Sequence, residues 1–332
     1  MSAEMPTPPD RSSWKGRPIQ ERLGWRKDMF IPHPKAAQAV NAILDRIERT
    51  GVTGASTGVF IAGETGSGKT RLGQHVRELV VSRAVHKYSN ADHVPVVLIK
   101  CPEVSSRKQF VVQILSAMGA AFPKKHTYSD LMRQLVALAV PVGLSVIILD
   151  DLQDLQRGPT RRGVQEIALA LRDIYDHLRT TFVLLGTPES VVVINDNLQL
   201  RKRIPFRLSL PYFDLANPQE VQNFKKLIHE VERWLPLAES SNLVKAEVLM
   251  RLLKSTNGIF QYLLDLLDQA IVEACRDGRE SIEIEHLSRA FNWVYGTTAG
   301  SGNPFTTDTG QLRPLDRPGE PFHAWTHAPL QT

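Results

Sequence analysis

Gly63-Glu64-Thr65-Gly66-Ser67-Gly68-Lys69-Thr70 is the stretch that decides the fold of this chain. Its spacing, G-x-x-x-x-G-K-[ST], is that of a phosphate-binding P-loop, in which each fixed position has a physical task. Gly63, Gly66 and Gly68 let the backbone turn so tightly that successive N–H groups point into one anion-sized hollow. Lys69 reaches the outer phosphates, and the Thr70 hydroxyl ligates magnesium. The flanks agree with this reading. Val59-Phe60-Ile61-Ala62 enters as a strand, and Arg71 to Ala84 leaves as a helix, whose N-terminus stands behind the phosphates. A chance glycine-rich turn does not explain that strand–loop–helix frame. Binding of ATP with Mg2+ follows, the contacts running from Gly63 through Arg71.

The chain has 332 residues, 42% hydrophobic and 23% charged, enough for one large domain or two. No apolar run approaches the ~20 residues of a membrane-spanning helix. The N-terminus, with Pro6, Pro8, Pro9 and Asp10, lacks the apolar core of a signal peptide. Two cysteines, Cys101 and Cys275, are too few for a disulfide framework or a zinc site. A cytoplasmic protein with no membrane partner is expected. The net charge is +5, and residues 1–35 hold seven Lys/Arg against four Asp/Glu. Such an excess is compatible with nucleic acid but is shared by many proteins with no such partner.

Residues 1–30 read as a flexible basic arm, with Trp14 and Trp25 either anchoring a partner or packing on the domain. From Pro34 to Thr50 the spacing of Ala37, Val40, Ile43, Leu44 and Ile47 predicts an amphipathic helix. Val94 to Ile99 is a second strand, its continuous apolar run suiting a parallel sheet covered on both faces. Helices are expected over Glu103–Gly119 and Tyr128–Ala139, then a strand over Ser145–Asp151 and a helix through Val164 and Leu178. Thr181–Thr187 and Phe206–Leu210 complete five strands. Strands separated by helices imply a three-layer parallel α/β domain over residues 31–212. Residues 213–295 hold four helical periodicities and no strand, forming a small all-helical lid. The tail, 296–332, is rich in Gly, Pro and Thr and reads as disordered, or as a docking peptide around Trp325.

Asp150 ends an apolar strand, where an acidic residue holds magnesium in P-loop proteins. Asp151 stands where a general base would polarise the attacking water, or else caps the following turn. Thr187, after the fourth strand, serves either a γ-phosphate or water, or the N-cap of the next helix. Arg201, Lys202 and Arg203 precede the fifth strand, either as a solvated basic turn or with one of them completing a neighbour's site as an arginine finger.

With these residues in view, the chain resembles the AAA+ ATPases. Within them it is similar to the TnsC/TniB proteins, ATPase regulators of bacterial DNA transposition. The subfamily likeness is carried by Phe30-Ile31-Pro32-His33-Pro34, by Leu184-Leu185-Gly186-Thr187-Pro188-Glu189 and by Asn257-Gly258-Ile259-Phe260. It spans roughly residues 25–295. The resemblance implies a homo-oligomeric ring or filament on duplex DNA that marks a target for a transposase and a target-selection adaptor. It also implies that Lys69, Thr70, Asp150, Asp151 and Thr187 form one subunit's ATP site, with Arg203 serving the next and Ile31 and His33 against adenine. Two departures stand out. Asp151 replaces the usual Glu, and Gln261 stands where many AAA+ lids present an arginine. Both imply slow hydrolysis.

Two rival readings remain open: a replication initiator or helicase loader, and a signalling AAA+ ATPase that binds protein alone. A winged-helix domain would favour the first, and residues 296–332 are too few to form one. Lys124 and Lys125, between two helices, and Arg161 and Arg162, after the Asp151 strand, are candidates for phosphate contacts without sequence preference, or are ordinary solvated surface. Replacing Lys124 and Lys125 together by Ala is expected to lower duplex-DNA affinity and leave ATP binding intact. Titration of labelled duplex at low salt checks this, and unchanged affinity would remove the loop from consideration.

Overall fold

The computed structural model describes residues 7–28, 30–31, 33–87, 93–101, 106–121, 125–157, 161–210, 212–214, 216–296, 302–318 and 320–322. In chain order the first elements are α1 (Ile19–Asp28), α2 (Pro34–Thr53), β1 (Thr57–Gly63), α3 (Lys69–Lys87), β2 (Val96–Lys100), α4 (Arg107–Ala117) and α5 (Tyr128–Ala139). Then come β3 (Val146–Asp150), α6 (Asp154–Arg157), α7 (Arg161–His177), β4 (Thr181–Gly186), α8 (Val191–Asn195), α9 (Leu198–Arg203) and β5 (Phe206–Leu210). Four helices close the series: α10 (Pro218–Arg233), α11 (Ala246–Ser255), α12 (Phe260–Arg276) and α13 (Ile284–Tyr295). They fall into two compact units, one over Lys35–Pro211 and one gathering Glu4–Pro34 with Tyr212–Thr332.

The first unit is an all-parallel sheet in the order β2-β3-β4-β1-β5. Its inner strands are buried along their lengths because helices cover both faces, which is why they read as unbroken apolar runs. Phe60, Ile147, Leu149 and Leu184 face a core completed by Phe110, Ile114, Leu115, Leu131 and Leu135 from α4 and α5. Ser106 and Thr127 start α4 and α5 with capping boxes, each satisfying otherwise orphaned backbone groups. Register settles what meets at the carboxyl edge. Ala62 pairs with Gly186, and Lys100 with Asp150. The chain therefore leaves β1 into the P-loop, β3 into Asp151 and β4 into Thr187 along one side of the sheet.

The second unit is all-helical around Phe224, Leu227, Leu252, Leu263, Leu267, Ile271 and Phe291. Its membership differs from the expected arm and tail. Residues 11–14 form a 3-10 turn, and α1 packs on α12. Trp14 is buried, its ring 5.6 Å from that of Trp25, which stacks in turn on Trp234 at 6.4 Å. Arg22 is 2% exposed and donates to both oxygens of Glu280 at 2.7 and 2.8 Å, and to the carbonyls of Trp14, Arg17 and Pro236. In the tail, Phe305, Leu315 and Phe322 enter the core of this unit, each side chain contributing about 2 kcal/mol. Arg251 holds the same segment by donating to the carbonyls of Pro304 and Thr307. Average composition conceals these few well-spaced apolar anchors. Trp325 lies outside the described residues. Among the described residues no helix is long and apolar enough to cross a membrane.

The Arg22–Glu280 pair generates a prediction. Arg22→Ala strands a half-buried carboxylate and is expected to destabilise the second unit by about 3 kcal/mol, read by urea denaturation. The pair with Arg22 holds Glu280 down at about 2, below its ordinary 4.5. The stability it supplies is complete above pH ~4.5 and is lost as pH falls toward 2, which tryptophan fluorescence of Trp14, Trp25 and Trp234 will follow.

Candidate nucleotide site

Backbone geometry shapes the loop after β1. Gly66 and Gly68 take φ of +82° and +89°, the left-handed region that side chains resist. A Cβ on Gly63 would collide with Ser67 Oγ and come within 3.0 Å of the Leu210 carbonyl, so only glycine lets the loop close there. Lys69 opens α3 and is 6% exposed, its Nζ donating to the carbonyls of Gly63 (2.7 Å) and Glu64 (2.9 Å). Burial lowers its pKa, and Asp150, Asp151, Glu64 and Glu189 oppose that shift by favouring the charged form.

Asp150, the last residue of β3, is 1% exposed. Burial raises its pKa, against a hydrogen bond from the Thr70 side chain. Its Oδ1 accepts the Asp151 N–H at 3.0 Å, and its buried Oδ2 has no partner among the described residues. Ser67 Oγ is likewise buried without one. The two hard oxygens of Asp150 and Thr70 beside a phosphate loop suit Mg2+, which takes one or two protein ligands and leaves other positions to phosphates and water. Among the described residues no cluster of three or more His, Cys, Asp or Glu forms a protein-only metal cage. Cys101, beside Asp150 at the sheet edge, is pushed up to about 12 by burial, with Asp154, Asp151 and Asp150 adding to the shift, and is an inert thiol.

Asp151 takes φ +58°, a left-handed residue at the mouth of the site. Its carboxylate accepts from Gln153 Nε2 at 3.0 Å and pairs with Lys100 Nζ at 3.4 Å. The left-handed region tolerates Asp and Asn better than longer side chains, a backbone reason for Asp at this position. Thr187 precedes the 3-10 turn Pro188–Ser190, yet its hydroxyl makes no cap hydrogen bond to that turn. Its N–H donates to Gln153 Oε1 at 3.2 Å. Glu189 contributes charge at the same edge, raising the Glu64 pKa after the larger effect of burial. Sequence patterns assigned no role to Gln153, Lys100 or Glu189. The Lys100–Asp150 register is the signal that places Lys100, and it is legible only once the strands are paired.

Arg203 lies at the other edge of the same sheet. It ends α9, and its carbonyl stands 3.0 Å from where a Cβ on Gly58, at the start of β1, would sit. The five residues from Gly58 to Gly63 span about 17 Å. Its guanidinium pairs with Asp176 and lies 5.0 Å from the Tyr175 ring centre, while Arg201 and Lys202 are exposed. Ile31 and His33 belong to the second unit, Ile31 in its core and the His33 ring 5.7 Å from that of Phe260 and 6.1 Å from that of Phe213. Gln261 bonds within its own helix to Asp265 at 2.8 Å. Lys125 is exposed and Lys124 lies outside the described residues; Arg161 and Arg162 open α7, their side chains also outside them.

A five-stranded parallel sheet in this order, with its P-loop after β1 and acidic residues after β3, defines the chain as having the AAA+ P-loop ATPase fold. Within that class it belongs to the bacterial TniB protein family, whose family model matches residues 22–211. Its fold is similar to Aeropyrum pernix ORC2, solved as ADPNP–ADP complexes, at a TM-score of 0.62 and 16% identity over 82% of this chain and 71% of that one. It is also similar to Cdc6p from Pyrobaculum aerophilum (TM-score 0.59, 16% identity, 80% and 69% covered). Aeropyrum pernix ORC1 in complex with DNA gives 0.58, 16% identity and coverage of 86% and 69%. Comparison with curated proteins gave no match.

The left-handed backbone at Asp151 can be tested by stability alone. Asp151→Glu is expected to cost about 1 kcal/mol and Asp151→Asn close to nothing, measured by guanidinium denaturation without nucleotide. Equal losses in both would show that the side-chain contacts of Asp151, not its backbone, decide the cost.

Proposed function

We propose that this protein is an ATP-dependent regulator of DNA transposition, which oligomerises on target duplex DNA and recruits or activates a transposase, with slow ATP hydrolysis driving disassembly. The observation that carries this reading is the division of residues between the sheet edges: Lys69, Thr70, Asp150, Asp151 and Thr187 at one, Arg203 about five residues of strand away at the other. Membership of the TniB family supports transposition, and ORC1 of similar fold in complex with DNA supports a DNA partner.

In this mechanism the N–H groups of residues 63–70 cradle the phosphates, and Lys69 Nζ exchanges the carbonyls of Gly63 and Glu64 for phosphate oxygens. Thr70 and Asp150 would hold Mg2+, which neutralises charge between the outer phosphates when bound. Asp151 accepts a proton from the attacking water, and the Thr187 hydroxyl orients that water or the γ-phosphate. Too distant to serve its own site, Arg203 leaves Asp176 for the nucleotide of an adjacent subunit. Lys124, Lys125, Arg161 and Arg162 are the proposed phosphate contacts on DNA. The likeness to ORC and Cdc6 favours a replication-initiator function as the second reading.

Negative-stain microscopy with duplex DNA tests the proposal, comparing ATP, a slowly hydrolysed analogue and ADP. Rings or filaments are expected with the triphosphates alone, and Arg203→Ala is expected to abolish them while nucleotide binding persists. An absence of nucleotide-dependent assembly on DNA would sink the transposition reading.

A further inference from the structure

We propose that Gln153 is a positioning residue that locks Asp151 to the end of β4, and so fixes the distance between the base and Thr187. The inference rests on the ATPase reading above and adds to it a residue that neither the P-loop pattern nor the strand ends single out. One side-chain amide makes two hydrogen bonds of opposite sense. Its Nε2 donates to Asp151 Oδ1 at 3.0 Å, and its Oε1 accepts the Thr187 N–H at 3.2 Å. Reversing the amide would set oxygen against carboxylate and NH2 against N–H, so the partners dictate a single orientation. Glutamine is matched to this place. Glutamate lacks the donor, and asparagine is one methylene shorter.

The frame around the bridge is tight. Leu152, fully buried, donates its N–H to the Leu185 carbonyl at 2.9 Å, joining the same two segments through backbone. A Cβ on Gly186 would stand 2.9 Å from Leu152 Cβ, so the chains touch at glycine. Gln153 closes a ring of contacts over this crossing. Lys100, the other partner of Asp151, is 75% exposed along its side chain and its pairing is screened by water. The direction of the Asp151 carboxylate therefore depends mainly on Gln153. A base held by one flexible pair would sample many directions, and a misplacement of about 1 Å is enough to slow turnover severely.

The test combines single-turnover ATP hydrolysis with binding of a non-hydrolysable ATP analogue by the full chain. Gln153→Leu removes both bonds, and Gln153→Glu keeps the acceptor for Thr187 while placing like charge against Asp151. Each is expected to slow hydrolysis about tenfold or more while analogue affinity stays within about twofold of wild type. In an Asp151→Asn background, Gln153→Leu is expected to add no further loss, the coupling a residue acting through Asp151 must show. Thermal midpoints confirm that each variant is folded. Wild-type turnover with undiminished Gln153→Leu overturns the proposal alone, as do additive losses in the double variant. A loss confined to analogue affinity does the same. Wild-type protein that binds no ATP analogue overturns the ATPase reading and this inference together.

Discussion

The parallel pairing of β1 with β4, in register from Thr57 with Thr181 to Ala62 with Gly186, is the constraint on which everything else in the first unit depends. Both strands are buried on both faces, so every peptide group inside must find its partner on a neighbouring strand. A slip of one residue would move Thr187 about 3.3 Å along the P-loop and turn each side chain to the opposite face. The glycines at the edge, Gly63 and Gly186, mark where the crossings are too close for any side chain. Their spacing converts a hydrogen-bond ladder into a chemical site.

Charge within that site is lopsided. One buried ammonium, Lys69, is set among the carboxylates of Asp150, Asp151, Glu64 and Glu189, which counter the effect of burial on it. The Asp150 oxygen that has no partner among the described residues and the hydroxyl of Thr70 suit a divalent cation, which would add positive charge beside these carboxylates.

Long apolar runs and a motif of fixed spacing made most of the first unit legible in the sequence. The third strand, expected over Ser145–Asp151, forms as Val146–Asp150, and Tyr128–Ala139 and Phe206–Leu210 form as the periodicity indicates. Less was legible where the determining contact spans a long stretch of chain. Arg22 and Glu280 are 258 residues apart, and nothing local to either predicts their pairing. Trp14, Phe305, Leu315 and Phe322 are too isolated to make a period, so the segments around them read as solvated when three-dimensional packing buries them. Gln153 was illegible for the same reason. Its partners are two residues back and across the sheet, and only the fold brings them into reach of one amide.

The placement of Arg203 at the edge opposite the P-loop has a geometric corollary for the assembly proposed above. A body carrying complementary features on two unlike faces cannot satisfy both in a two-fold dimer, because such a dimer pairs identical patches. Subunits of the proposed assembly would therefore join head to tail. Where such an assembly stays open as a filament, it would be a vector along the DNA, with one end presenting a P-loop that has no neighbouring arginine and the other an arginine that has no phosphate to reach. A partner able to tell those ends apart would read direction from the polymer without reading a single base.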